Sequence, residues 1–106
     1  MAKGNRVSAL RQAKANNRGA TLTTSEKTKI TNNIASHSSS ENDRAENFYK
    51  TNIAREENIV LNVNDYIKSG VIKSANDDWF QHHLETYNTL KAQYSYFKRE
   101  RKRQGK

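Results

Sequence analysis

The sequence predicts a mainly α-helical protein, with an extended basic N-terminal arm and a small helical body that ends in a long amphipathic C-terminal helix. Three observations support this fold class. Apolar residues recur at helical spacing towards the C-terminus, and the chain contains no proline to break a helix. Of its 18 Leu, Ile, Val and Phe residues, 13 lie within residues 48–97. We therefore expect one small core, in the second half of the 106 residues.

The C-terminal helix is predicted to span about residues 75–103. Ser74 or Asn76 is a candidate N-cap, Asp77 and Asp78 would lie in the first turn, and bases crowd the end. An apolar stripe with spacings of three and four consists of Phe80, His83, Tyr87, Leu90, Tyr94 and Phe97. This spacing predicts that one face of the helix is buried.

The stripe has three interpretations. It is the inner face of a bundle formed with residues 48–72, which we favour, or a seam for a separate partner. In the third, Tyr94, Tyr96 and Phe97 stack on unpaired bases. The sequence leaves all three open.

The arm, residues 1–40, is expected to be flexible or ordered only by partners. A marginal helix is plausible over about residues 5–16, and a second short helix is indicated by the capping box of Thr23 and Glu26. The run His37–Ser40 is interpreted as a flexible joint before the body, residues 41–106.

Within the body, Ser40 is a candidate N-cap for a helix reaching about Glu57. The apolar run of residues 59–63 is compatible with either a strand or a continuing helix. A short helix over residues 62–68 is expected to close at Gly70.

Charge is distributed unevenly along the chain, whose net charge is +8. Residues 1–40 hold seven bases and one acid, residues 41–97 hold six bases and nine acids, and residues 98–106 hold six bases and one acid. This layout indicates that the two ends bind a polyanion while the middle packs on protein. The alternative is that both ends only keep the chain in solution.

The bases of the C-terminal segment are the strongest candidates for phosphate contact, because arginine forks pair bidentately with phosphate oxygens. The predicted contact residues of this segment are Lys98, Arg99, Arg101, Lys102 and Arg103. Those of the arm are Arg6, Arg11, Lys14 and Arg18.

Other kinds of site are not expected. Without cysteine there is no disulfide or thiolate chemistry, and His82 and His83 with Asp78 and Glu85 make only a weak metal pattern. No phosphate loop or nucleophile motif is present, so we expect neither catalysis, nor a cofactor, nor a small-molecule substrate. No apolar run is long enough for a membrane span or signal peptide, which favours the cytoplasm or a virion.

Together these features lead us to expect a non-catalytic structural or accessory component of a large nucleoprotein assembly, such as a phage virion or a ribosome-like particle. Its partners would be nucleic acid, protein subunits, or both. The alternatives are a free-standing small nucleic-acid-binding regulator and a helical protein–protein adaptor that docks the stripe on one partner.

Overall fold

A computed structural model of the chain describes Ala13 and residues 21–106, and the described residues form four helices and no strand. The helices are α1 (Thr24–Ser36), α2 (Ser39–Leu61), α3 (Val63–Lys68) and α4 (Asp78–Gln104). The mainly α fold class with a long C-terminal helix is thereby confirmed. Of the helix expected over residues 5–16, only Ala13 lies among the described residues.

Helix α1 begins at the predicted capping box. The Thr23 hydroxyl accepts a hydrogen bond from the Glu26 backbone N–H at 3.1 Å, and the Glu26 carboxylate accepts one from the Thr23 backbone N–H at 3.1 Å. Two backbone donors that have no partner inside the helix are thus satisfied. Threonines along α1 do not prevent the helix, because Ile34 is buried against other helices and tertiary packing outweighs weak propensity.

Helix α2 begins within the run that was expected to be a flexible joint, and that expectation was wrong. Ser38, not Ser40, is the N-cap, and it forms a second capping box with Glu41. Only His37 and Ser38 separate α1 from α2. Asn42 fixes this corner, because its buried side chain donates a hydrogen bond to the Ile34 carbonyl oxygen at 3.2 Å.

The apolar run of residues 59–63 is helical. It closes α2 at Leu61 and, after a break at Asn62, opens the one-and-a-half-turn α3. Gly70 follows with a φ of 81°, a left-handed conformation that glycine adopts without steric cost, as expected for the close of this helix.

Helix α4 starts slightly later than predicted. Its N-cap is Asp77, whose carboxylate accepts hydrogen bonds from the backbone N–H groups of Trp79 and Phe80 at 3.0 and 3.3 Å. Asp78 lies in the first turn and three bases in the last, an arrangement that complements the helix dipole at both ends. Gly105, with a φ of 70°, ends the helix.

Helices α2 and α4 run antiparallel. Asp43, near the start of α2, meets Arg101 near the end of α4, whereas Glu56, near the end of α2, meets His83 near the start of α4. Helix α1 packs against α4 as well, so the long C-terminal helix contacts both.

The main core lies where α3 and the loop after it cover the first half of α4. Its buried members are Ala13, Val60, Val63, Ile72, Ala75, Phe80, Leu84 and Tyr87. Phe80 and Leu84 are completely buried. Apart from Ala13, all of these residues belong to the second half of the chain, as the distribution of apolar residues predicted. Ala13 is tied in by the side-chain amide of Gln81, which donates to its carbonyl oxygen at 3.1 Å.

Candidate polyanion-binding surface

The candidate surface is the C-terminal part of α4 with the two residues after it, here called the basic tail (residues 98–106). It carries six bases and a single acid. The tail continues a helix that is held on two sides by α1 and α2, so its side chains project from a fixed backbone. The contacts within the protein divide these bases into two groups.

Arg101 belongs to the group that is used inside the protein. Its guanidinium donates to Asp43 Oδ1 at 2.6 Å and to Glu46 Oε1 at 3.4 Å, and it also donates to the Ser39 carbonyl oxygen at 3.2 Å. Only 17% of the side chain is exposed. Arg101 therefore fastens the end of α4 to the start of α2, and its fork is occupied.

Arg103 and Lys106 are also engaged internally. Arg103 binds the Glu100 carboxylate through Nε, at 2.9 and 3.1 Å, and through Nη2. Hydrogen bonds from Arg103 lower the pKa of Glu100 from 4.5 to about 2. Lys106 Nζ donates to the carbonyl oxygens of Ala35 and His37 at 3.0 and 3.5 Å, which extends the fastening to the end of α1.

Lys98, Arg99 and Lys102 form the second group, and all three are exposed. Lys98 Nζ lies 4.4 Å from the centroid of the Tyr94 ring, a cation–π contact that leaves its charge facing outwards. Within the described part of the chain, the side chains of Arg99 and Lys102 make no hydrogen bond or ion pair. Lys98 and Lys102 line an open groove of about 380 Å³, together with Glu46, Arg101, Gly105 and Lys106.

The aromatic stripe packs within the chain. Phe80, Tyr87 and Phe97 are buried, and Leu90 and Tyr94 are half-buried. Tyr49 of α2 stacks on Tyr94 with ring centroids 5.7 Å apart, and it contacts Phe97 at 5.4 Å. Burial raises the pKa of Tyr49. These contacts correspond to the interpretation of the stripe as the inner face of a bundle.

Base stacking by the aromatic residues of the stripe does not fit these contacts. Tyr94 is already stacked on Tyr49 and carries the Lys98 ammonium, while Phe97 is only 4% exposed. The Tyr96 hydroxyl lies 2.8 Å from the Thr31 hydroxyl of α1. The Tyr94 ring and the buried Phe97 are thus engaged with the protein itself, and Tyr96 is held through its hydroxyl.

His83, the polar member of the stripe, is paired with a carboxylate. Its Nδ1 lies 2.6 Å from Glu56 Oε2, and the Trp79 ring packs against it edge-on with centroids 4.8 Å apart. Among the residues that the structure describes, no group of three or more His, Asp or Glu side chains is arranged to hold a metal ion. The weak metal pattern around His82 and His83 has no third ligand there.

Sequence reasoning missed the acids that neutralise part of the tail. Asp43 and Glu46 stand one turn apart on α2, a spacing that puts both on one face, but which base they would meet depends on the register of α2 against α4. It also missed Lys91, an exposed base whose Nζ lies 5.0 Å from the Tyr87 ring centroid. The predicted arm contacts Arg6, Arg11, Lys14 and Arg18 lie outside the described residues.

No helix in the described part of the chain is both long enough and apolar enough to cross a membrane. Comparison of the chain with protein-family models, curated proteins and solved structures finds no match.

Proposed function

We propose that this protein is a non-catalytic structural or accessory component of a large nucleoprotein assembly, such as a phage virion or a ribosome-like particle, where it bridges protein neighbours and nucleic acid. One observation carries the proposal. After the internal pairs of the tail are formed, Lys98, Arg99 and Lys102 remain exposed at the end of a well-anchored helix. Exposed bases with no carboxylate partner among the described residues are the feature that attracts phosphate.

Contacts with protein neighbours are supported by apolar side chains that the fold leaves exposed. The largest are Phe48, Leu61, Val71 and Trp79, which are between 45% and 65% exposed. Leu61 ends α2 and Trp79 begins α4, so the antiparallel packing brings both to the end of the bundle opposite the basic tail. A component with charge at one end and apolar side chains at the other is suited to bridging unlike neighbours. Such a component would act in the cytoplasm or within a virion.

Two alternative functions differ from this proposal in what the protein would bind. A free-standing nucleic-acid-binding regulator would use the same bases but would select its sequence. A helical adaptor would bind protein alone, and since the stripe is packed inside the chain it would have to use the exposed apolar end around Trp79 instead.

The proposal is tested by measuring binding of the purified full chain to fluorescent DNA and RNA by anisotropy, at salt concentrations from low to physiological. We expect affinity to fall steeply with salt, because each neutralised phosphate releases counterions. The double variant R99Q/K102Q should bind more weakly than R55Q/K68Q, which removes the same charge from exposed positions elsewhere. Absence of binding at low salt by the intact chain would contradict the proposal.

Substitution is preferable to deletion of the tail. A chain ending before Lys98 would lose Arg101 and Lys106 along with the exposed bases, and with them the fastening of α4 to α1 and α2. A loss of binding would then have two explanations.

A further inference from the structure

One face of α4 changes character along its length. At 100° per residue, Phe80, Leu84 and Tyr87 lie within about 60° of one another around the helix, and all three are buried in the main core. Beyond the core, towards the C-terminus of α4, the same face carries Lys91, Lys98 and Lys102, which lie within about 40° of one another. All three lysines are exposed. We call them the lysine row.

Two members of the row are held by aromatic rings. Lys91 Nζ lies 5.0 Å from the Tyr87 centroid and Lys98 Nζ lies 4.4 Å from the Tyr94 centroid, each four residues back along the helix. The Tyr87 hydroxyl is fixed in turn by donating to Glu57 at 2.9 Å. Because these rings are themselves packed, the ammonium groups lose less side-chain freedom when an anion binds.

The surroundings of the row favour an anion with charge spread along its length. From residue 86 to the end, the chain holds seven bases and one acid, Glu100, which is bound by Arg103. Two acids of α2 lie near the row: Glu46 enters the neighbouring groove and is paired with Arg101 and Lys50, and Glu57 accepts the hydrogen bond from the Tyr87 hydroxyl. The backbone separation from Lys91 to Lys102 is about 16 Å, a length over which duplex DNA presents about nine charges.

Most of the groups that could read bases are occupied, with the exposed Arg99 as the exception. The forks of Arg101 and Arg103 bind carboxylates of the protein, and Tyr94 is stacked on Tyr49. Lysine offers a point charge on a flexible stem and lacks the rigid fork by which arginine matches two acceptors at once. The row can therefore follow phosphates without fixing the register of a base.

We propose that the lysine row is a binding site for the phosphodiester backbone of nucleic acid and that it binds without reading sequence. This inference rests on the proposed function and deepens it, because it names the chemical group recognised and adds Lys91 to the site. It also removes Arg101 and Arg103 from the predicted contact residues. Phosphate is favoured over acidic protein because the row presents its charges in a line along the helix, which suits the regularly spaced charges of a phosphodiester backbone.

The test uses two triple variants of the full chain with the same net charge. K91Q/K98Q/K102Q removes the row, and R55Q/K68Q/K73Q removes three exposed bases from α2, α3 and the following loop. Each is measured against DNA duplexes of equal length that are GC-rich, AT-rich and mixed, over a salt series. Circular dichroism establishes that both variants keep the helical content of the parent.

We expect the row variant to lower the magnitude of the slope of log affinity against log salt by about 3, roughly 1 per lysine, and the control variant to leave it close to the parent value. The intact chain should bind the duplexes within about threefold of one another, whereas specific binding exceeds non-specific binding by at least about 10³. R99Q should weaken binding to all of the duplexes by the same factor.

Four results would overturn the inference. If the two triple variants lose the same slope, the row is not the site, although the proposed function survives. If one duplex binds far more tightly than the others, bases are read. If poly-glutamate displaces the duplexes as effectively as unlabelled DNA does, the site recognises carboxylates equally and is not selective for phosphate. No binding by the intact chain would remove the proposed function as well.

Discussion

Nη2 of Arg101 on α4 lies 2.6 Å from Oδ1 of Asp43 on α2, residues separated by 58 positions in the chain. This pair shows that the basic tail has two roles. One group of its bases fastens the end of α4 to the α1–α2 corner, and the other group stays on the surface. The bases of the tail look equivalent in the sequence, but the packing of two antiparallel helices pairs some of them inside the protein and leaves the others exposed.

The Arg101 contacts should contribute to stability. We expect Arg101→Ala to lower the free energy of unfolding by about 1–2 kcal/mol, because it leaves Glu46 without its arginine, while the exposure of Asp43 limits the loss. Lys102→Ala, one residue along and exposed, should change it by less than about 0.5 kcal/mol. Urea unfolding followed by circular dichroism measures both. Equal stability of the two variants would show that the fastening is not significant.

Phe80 is expected to be the most sensitive core position. It is completely buried, so Phe80→Ala should cost about 3–5 kcal/mol, a large part of the stability of a small domain. Phe80→Leu is a milder variant that should fold with a smaller loss. Phe48, 65% exposed, is the matched control, and Phe48→Ala should lie within about 0.5 kcal/mol of the parent. Thermal unfolding of the three would be decisive, and equal losses at the two positions would refute the assigned core.

Acid should destabilise the protein through carboxylates whose pKa is lowered in the folded state. Backbone hydrogen bonds lower the pKa of Glu26 and Glu41 in the capping boxes, and Arg103 lowers that of Glu100 to about 2. Each carboxylate therefore stabilises the fold at pH values above its usual pKa near 4.5. This contribution is lost as the pH falls towards the pKa of the group in the folded state.

The variant E26Q/E41Q/E100Q keeps hydrogen-bonding groups at these positions but cannot titrate. Its melting temperature should therefore fall less between pH 6 and pH 3 than that of the parent. A parallel decline for both proteins would mean that other groups govern the acid response.

Helix α1 should behave as part of the folded body. The Thr31 hydroxyl meets the Tyr96 hydroxyl at 2.8 Å, and Gln104 donates to the Thr31 carbonyl oxygen at 3.1 Å. We expect Tyr96→Phe to lower stability by about 0.5–1.5 kcal/mol and to speed amide exchange in α1 before other helices. Exchange in α1 that is already unprotected in the parent would show that the helix does not dock as described.

Local patterns in the sequence predict much of the fold. The dipole-matched ends of α4, the capping box at Thr23 and the closing Gly70 all depend on neighbouring residues, and each was predicted. The second box, Ser38 with Glu41, has the same spacing as the first, and the three consecutive serines concealed it by suggesting a loop. Leu84, completely buried four residues after Phe80, falls outside the a/d spacing and was missed.

The division of the basic tail could not be predicted in this way. Lys98 and Arg101 look equivalent in the sequence, and they differ because one faces the Tyr94 ring while the other meets Asp43 and Glu46. That difference depends on the register of α2 against α4, which is set by core packing between residues far apart in the chain. Local periodicity indicates which residues share a face but not which partner that face will meet.

The most direct test of the account is to locate the nucleic-acid contact on the intact protein. ¹H–¹⁵N spectra of the labelled chain would be recorded while a short DNA duplex is added at low salt. We expect the shifts to concentrate at residues 91, 98, 99 and 102, while the amides around Trp79 and the acidic start of α2 change little. Shifts centred on the Trp79 end, or no shifts at all, would contradict it.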